Sequence, residues 1–382
     1  MQNMSISRRG LLKLAVSGMA AGYSPTPEFA STNETKTGQQ VAVASRKPIH
    51  LDRNENAYGP SPKALAEVLK NANLANRFPG STDALVSSLA RFHSVKPEQL
   101  MLGAGSTAIM KMAMNAFLRN THRLILASPT FELIQDYAIS TGAHINAVPL
   151  RHDYGHDLEA MLAAVSSTTG LVYICNPNNP TGTLTDRREI DRFLEKLPER
   201  VPVIIDEAYH EYAGGSGAYV SFLDRPAHHP GVIVTRTFSE LYGLAGLRLG
   251  YAFAQPQILN ALAKDKPETE IGSLTLAAGL AALADTEFTA TCVLRNQNDR
   301  QEFVNQVNAR MLRVLDSHTN FSCLNAMRPA KEVIEHYQKN DILLGPEIPG
   351  MPNYVRVSLG VPEEMREFWA VWDLLGEHPM AM

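Results

Sequence analysis

Three short segments of this chain carry groups suited to holding a small ligand. Gly103-Ala-Gly-Ser-Thr-Ala108 lies between a short apolar run and a long helical pattern. A glycine-rich helix start leaves backbone N–H groups free and points the positive end of the helix dipole outward, so Gly105, Ser106 and Thr107 form a candidate phosphate seat. Such starts also occur as plain structural turns, and this one gains weight from its companions. Asn176-Pro-Asn-Asn-Pro-Thr-Gly182 leaves an apolar run through two prolines that fix φ, presenting asparagine amides on a rigid loop. Val203-Ile-Ile-Asp-Glu-Ala-Tyr209 places Asp206 and Glu207 at the carboxyl end of an apolar strand pattern, the side on which open α/β sheets bind ligands. A lone aspartate there is more often a helix cap.

The elements that must position these segments are legible in the hydrophobic pattern. Residues 123–127, 170–175, 201–205 and 231–235 are short, β-branched apolar runs bounded by turn residues, as buried parallel strands are. Residues 108–118, 158–166 and 186–197 repeat apolar side chains at helical spacing. Strands alternating with helices predict an α/β domain with a mostly parallel sheet. Residues 287–315 read as helix, and 321–324 and 354–359 as strands of a smaller α+β domain. The expected organisation is a leader over 1–44, an N-terminal arm over 45–75 packing with the small domain, a large domain over 76–262 and a small domain over 263–382.

With 382 residues, 45% of them hydrophobic, the chain can bury a large core. A net charge of −4 with both signs interspersed points away from nucleic acid. After the N-terminus no apolar run is long enough to span a bilayer, so the mature protein is expected to leave the membrane alone. The three cysteines, Cys175, Cys292 and Cys323, lack metal-ligand spacing, and Cys175 reads as a small buried hydrophobe. Ser7-Arg-Arg-Gly-Leu-Leu-Lys13 ahead of a weak apolar stretch resembles a twin-arginine (Tat) export signal, with Ala42-Val-Ala44 as a cleavage site and Ala30 as a weaker one. The expected location is the periplasm.

Thr235-Arg-Thr-Phe-Ser-Glu-Leu-Tyr-Gly-Leu-Ala-Gly-Leu-Arg-Leu-Gly250 resembles the cofactor-lysine segment of the histidinol-phosphate aminotransferase family, fold-type I enzymes that use pyridoxal 5′-phosphate (PLP). The resemblance extends over the three segments above and runs from about residue 49 to 375, implying the aspartate aminotransferase-like fold and a homodimer. It assigns Asp206 to the pyridine nitrogen, Asn179 and Tyr209 to the phenolic oxygen, and Phe131 to stacking on the ring. Thr237, Ser239 and Arg248 join Gly105, Ser106 and Thr107 around the phosphate, where a guanidinium offers the paired donors a dianion needs. Leu51-Asp-Arg-Asn-Glu-Asn-Ala-Tyr-Gly-Pro60 resembles the family's covering arm, with Tyr58 as a substrate contact. Tyr354-Val-Arg-Val-Ser-Leu-Gly360 resembles the segment whose arginine, here Arg356, grips the substrate carboxylate.

Three positions depart from that family. Where its lysine bonds the cofactor aldehyde, this chain has Glu240, which cannot make that bond and can serve only as an acid/base. Crowded by negative charge, that carboxyl is expected to resist ionisation. Lys264 and Lys266 lie in the following crossover, where one could serve as a displaced amine, although solvated surface lysines are far commoner. Phe78 replaces a tyrosine that would reach the partner subunit's cofactor phosphate. Gly345 stands where an arginine would bind a substrate phosphate, which argues against histidinol phosphate. The expectation is an enzyme holding PLP or pyridoxamine 5′-phosphate (PMP) without a covalent bond and acting on a small amino acid or amine. Its chemistry would be transamination-like proton transfer, racemisation or elimination. The alternatives are a non-catalytic binding homologue, or an ordinary transaminase whose lysine was exchanged for Glu240.

Overall fold

The computed structural model describes residues 48–118, 122–265 and 271–376. The leader expected over 1–44, with its export signal and cleavage sites, lies outside the described residues, as does Lys266. The described residues form one compact unit. In chain order its strands are β1 (Ile49–Leu51), β2 (Leu100–Gly103), β3 (Arg123–Ser128), β4 (His144–Pro149), β5 (Thr169–Cys175), β6 (Val203–Asp206), β7 (Val232–Thr237), β8 (Gly250–Phe253), β9 (Arg313–Val314), β10 (Phe321–Asn325), β11 (Ile342–Leu344) and β12 (Tyr354–Ser358).

Seven of these form the central sheet in the order β2-β8-β7-β6-β5-β3-β4. β8 runs antiparallel to both neighbours, while the β4 to β7 side is parallel throughout. Alternation along each strand divides the core between the two faces. Val172, Ile174, Val203, Ile205, Val232 and Val234 join one apolar cluster, whereas Leu171, Tyr173, Ile204 and Ile233 join another. Each fully buried Val, Leu or Ile contributes about 1.5–3 kcal/mol relative to exposure, so a one-residue slip of β5 or β6 would exchange the faces and is strongly disfavoured. The observed register aligns Cys175 with Asp206 and Asp206 with Thr235. The loops beginning at Asn176, Glu207 and Phe238 therefore leave the same edge of the sheet side by side.

A three-stranded antiparallel sheet, β12-β10-β9, and the parallel pair β1-β11 make up the smaller part. Its core packs Phe303, Tyr337, Phe368, Trp369 and Trp372 together. The helix expected over 287–315 is Thr286–Ala309. Met311 then takes a left-handed φ of 55°, and β9 pairs with β10. Leu312, Val314 and Leu315 continue an apolar pattern that helix and strand read alike, and tertiary pairing decided between them. The helix expected over 158–166 likewise stops at Ala163.

The segment before the central sheet makes contacts at both of its ends. β1 pairs with β11, and helix Pro62–Asn71 packs against helix Ser273–Ala284. Ser61 caps the former, its Oγ accepting from Ala64 N at 3.1 Å, with Pro62 at the first helical position where a missing N–H does no harm. Among the described residues no single helix is long and apolar enough to cross a membrane.

Candidate active site

At the carboxyl edge of the parallel strands lies a cavity of about 510 Å³. It adjoins a second of about 680 Å³, and Arg53, Asn54, Phe131, Leu133, Asn179, Tyr209 and Glu240 line both. Every segment singled out from the sequence at this edge contributes a wall.

One end is built for an anion. Gly105 adopts φ 80° immediately before helix Ser106–Phe117, a conformation that a Cβ would strain. That Cβ would also run into Arg248 Nη2, and one at Gly250 would run into the backbone N of Ser106. At Gly250 the close approach of two backbone segments requires a glycine, and at Gly105 the positive φ does, with the Arg248 guanidinium filling the space beside it. Arg248 holds a left-handed φ of 55° and donates to Thr107 Oγ1 at 3.3 Å, Ser239 Oγ at 3.3 Å and Ala245 O at 3.0 Å. All three acceptors are neutral, so the guanidinium charge is left for a ligand. Thr237 Oγ1 donates to Ser239 Oγ at 2.9 Å and accepts from Ser239 N at 2.9 Å, closing the seat between β7 and the helix start.

Asp206 ends β6 at 4% exposure. Tyr173 and Thr235, from the strands on either side, donate to its two carboxylate oxygens at 2.9 and 3.1 Å. Burial pushes the carboxyl up to about 6, partly offset by those two donors. A cationic ring nitrogen placed against it would favour the ionised form.

Tyr209 Oη accepts from Asn54 Nδ2 at 2.9 Å, leaving its own proton free to be donated elsewhere. Asn179 is fixed from the opposite side, where Arg356 Nη1 donates to its Oδ1 at 2.8 Å and turns the amide N–H₂ outward. Arg356 also donates from Nη2 to Asp52 O at 2.6 Å, while its buried Nε has no partner. Burial pushes this guanidinium below its ordinary range, as expected for a cation bonded only to neutral oxygens. Gly345 lies against Arg356, where a Cβ would meet Nε at 3.0 Å. Phe131 is half-buried and lines both cavities.

Glu240 lies just beyond β7, in a turn held by the arm: Asn56 Nδ2 donates to Leu241 O at 2.7 Å, and Gly243, at φ 65°, abuts the backbone of Gly59. The side chain lines both cavities, and its Oε2 is shielded from solvent without a hydrogen-bond partner. Burial first, and the charge of Asp206 second, push this carboxyl up to about 8. Among the described residues no lysine lines either cavity, and Lys264 is an exposed helix cap.

Two residues singled out from the sequence lie outside the cavity of their own subunit. Tyr58 turns away from the cavity, its hydroxyl donating to Asp299 Oδ2 at 2.9 Å and its ring lying 4.8 Å from the Arg295 guanidinium. Burial and that carboxylate push its phenol up to about 12. Phe78 is 87% exposed and outside the cavity. Conversely, Asn54, Tyr173 and Thr235 were not singled out from the sequence. Asn54 lies inside the arm motif, and its left-handed φ of 58° is not written in that motif. Tyr173 and Thr235 read as core strand residues until the register set them beside Asp206. Cys175 lines the cavity too, but its thiol is buried, donates to Pro177 O at 3.2 Å and is pushed well up by burial, so it is no nucleophile. Among the described residues no group of His, Cys, Asp and Glu is arranged to hold a metal.

Comparison with known proteins gives a consistent answer. The family profile "Aminotransferase class I and II" matches residues 46–370. Histidinol-phosphate aminotransferase of Brevibacillus brevis is 36% identical over 318 residues, 83% of this chain and 87% of the relative. That of Bacillus subtilis subsp. natto is 35% identical, covering 85% and 91%. The crystal structure of histidinol-phosphate aminotransferase from Sinorhizobium meliloti in complex with pyridoxal-5′-phosphate superposes with a TM-score of 0.82 at 26% identity, covering 87% of this chain and 93% of that one.

Proposed function

Because this chain belongs to the class I and II aminotransferases, which depend on PLP, we propose that it is an enzyme acting on a small amino acid or amine with Glu240 in place of the family's lysine. In this reading PLP or PMP is held by non-covalent contacts alone. The observation that carries it is an intact set of cofactor contacts around a carboxyl: Arg248, Asp206, Tyr209 and Asn179 converge on the cavity that Glu240 lines.

These residues fit the cofactor. The seat at Gly105, Ser106, Thr107 and Ser239, with the unpaired charge of Arg248, suits a phosphate dianion and has room because residue 105 lacks a Cβ. Asp206 suits a protonated ring nitrogen, the free proton of Tyr209 and the outward amide of Asn179 suit a phenolate oxygen, and Phe131 offers an apolar face. When bound, the protonated ring withdraws electrons and makes the carbon beside the substrate nitrogen more acidic.

The chain's own groups supply the rest. Arg356, braced by Asn179 and Asp52, presents an unmet buried charge to a substrate carboxylate. Glu240, with its proton affinity near neutrality, takes a proton at Oε2 and returns it, a role worth roughly 10²- to 10⁴-fold in rate. Transamination-like proton transfer, racemisation and elimination all begin with that transfer. The substrate in the relatives' names, histidinol phosphate, suits the site poorly because Gly345 offers no countercharge to a phosphate. A homodimer is supported by the exposed apolar side chains Leu65, Leu69, Leu74 and Phe78 on consecutive segments, and export to the periplasm by Arg8 and Arg9 in the leader.

A non-catalytic cofactor-binding role is the second reading, favoured by the absence of a lysine among the described cavity residues. The test begins with the purified chain and its bound cofactor. A spectrum that changes on adding an amino acid, with product released, supports catalysis, whereas a stable complex without turnover supports the binding role. Glu240→Lys should create a borohydride-reducible bond to PLP at residue 240. Tight binding without that bond would mean that residue 240 does not stand at the lysine's place.

A further inference from the structure

We propose that Glu240 makes this site selective for the amine form of the cofactor, by pairing its carboxylate with the aminomethyl ammonium of PMP. The inference rests on the functional reading above and specifies the form in which the cofactor is held.

Glu240 Oε2 is buried at the cavity wall with no hydrogen-bond partner. Asp206 and Glu211 oppose its ionisation, while a hydrogen bond from its own backbone N–H and, to a smaller extent, the charge of Arg248 favour it. Arg248 is also bonded elsewhere, to Thr107, Ser239 and Ala245, at the anion seat. Arg356 keeps its charge for a substrate carboxylate while bracing Asn179 and the Asp52 carbonyl, and it is not among the leading charges acting on Glu240. Among the described residues no lysine lines the cavity. Arg53 also lines both cavities, but its side chain is largely exposed and lies 3.4 Å from Asp52 Oδ2, so the cation best placed to satisfy Glu240 arrives with the ligand.

PLP and PMP differ only in one substituent. The aldehyde of PLP is neutral and brings an acceptor, so it can meet Glu240 only while that carboxyl keeps its proton. The aminomethyl group of PMP brings a positive charge and N–H donors, which an ionised, desolvated carboxylate accepts strongly. The pairing also offsets the repulsion between Glu240 and Asp206, because each carboxylate then faces a cation. No bond is made or broken.

The test uses the full chain stripped of cofactor and compares PMP with pyridoxine 5′-phosphate, which carries a neutral hydroxymethyl group in place of the aminomethyl group. Isothermal titration near neutral pH should give PMP about tenfold or more the tighter binding, in line with the greater strength of charged over neutral hydrogen bonds. Glu240→Gln, nearly isosteric, should bring the two affinities within about threefold by weakening PMP alone. Equal affinities in the native chain overturn the proposal without needing any variant to fold. A preference for PMP that survives in Glu240→Gln also overturns it, since the selectivity would then lie elsewhere. If neither compound binds, the cofactor-dependent reading itself fails, an outcome distinct from lost selectivity.

Discussion

Arg356 and Asn179 meet at 2.8 Å, joining β12 of the smaller sheet to the loop that leaves β5 of the large one. One guanidinium thus orients the asparagine amide and waits for a carboxylate with its remaining charge. Arg356→Gln should weaken carboxylate-bearing ligands by about 30-fold or more, the loss typical of truncating one partner of a buried charge pair. It should leave the affinity for ligands without a carboxylate within a few-fold. Titration with an amino acid and with its decarboxylated amine separates the two. Equal losses for both would assign Arg356 a purely structural role.

Gly105 is required twice over, for its φ of 80° and for the space that Arg248 occupies. Gly105→Ala should fold, at a cost of about 1 kcal/mol or more in stability. Its affinity for PMP should fall at least tenfold because Arg248 is displaced from the anion seat. Equilibrium dialysis checks this, and unchanged affinity would place the phosphate elsewhere.

Asn54 donates to Tyr209 Oη at 2.9 Å and accepts from Ser358 Oγ at 3.2 Å, all from a left-handed backbone. Asn54→Ala should destabilise the protein by about 1–3 kcal/mol through the lost bonds and the unfavourable φ. A double-mutant cycle with Tyr209→Phe should show coupling of about 0.5 kcal/mol or more between residues 54 and 209. Strictly additive effects on the urea midpoint would mean that the bond does not orient the phenol.

The ligand-free protein should lose stability as pH rises through neutrality. Glu240 has a folded value of about 8 against 4.5 ordinarily, and Asp206 about 6 against 3.8. Below both ordinary values the folded and unfolded states are equally protonated. As pH rises, the unfolded chain releases its protons first while the fold still holds them, so stability declines by at most about 1.4 kcal/mol per pH unit and group until the folded value is passed. Between pH 6 and 8 the decline belongs mainly to Glu240. Melting curves of the native chain should therefore fall by a few degrees over that interval, and those of Glu240→Gln should be flatter. Parallel profiles would show that residue 240 carries no raised titration.

The parallel sheet, the anion seat and the loops at the strand ends were legible in the sequence for local reasons. Apolar runs, glycine-rich helix starts and proline-fixed loops depend on their own neighbours in the chain. The same holds for Glu240, whose identity alone excludes a covalent bond to an aldehyde. What the sequence could not carry was long-range pairing. Tyr173 and Thr235 became partners of Asp206 only through the β5-β6-β7 register, and Arg356 reached Asn179 only because the smaller sheet packs where it does. Tyr58, read as a substrate contact, bonds within its own subunit to Asp299, 241 positions away. The raised proton affinity of Glu240 combines both levels. The sequence supplied the carboxyl, and tertiary burial beside Asp206 decided its strength, because desolvation and like charge act through space and not along the chain.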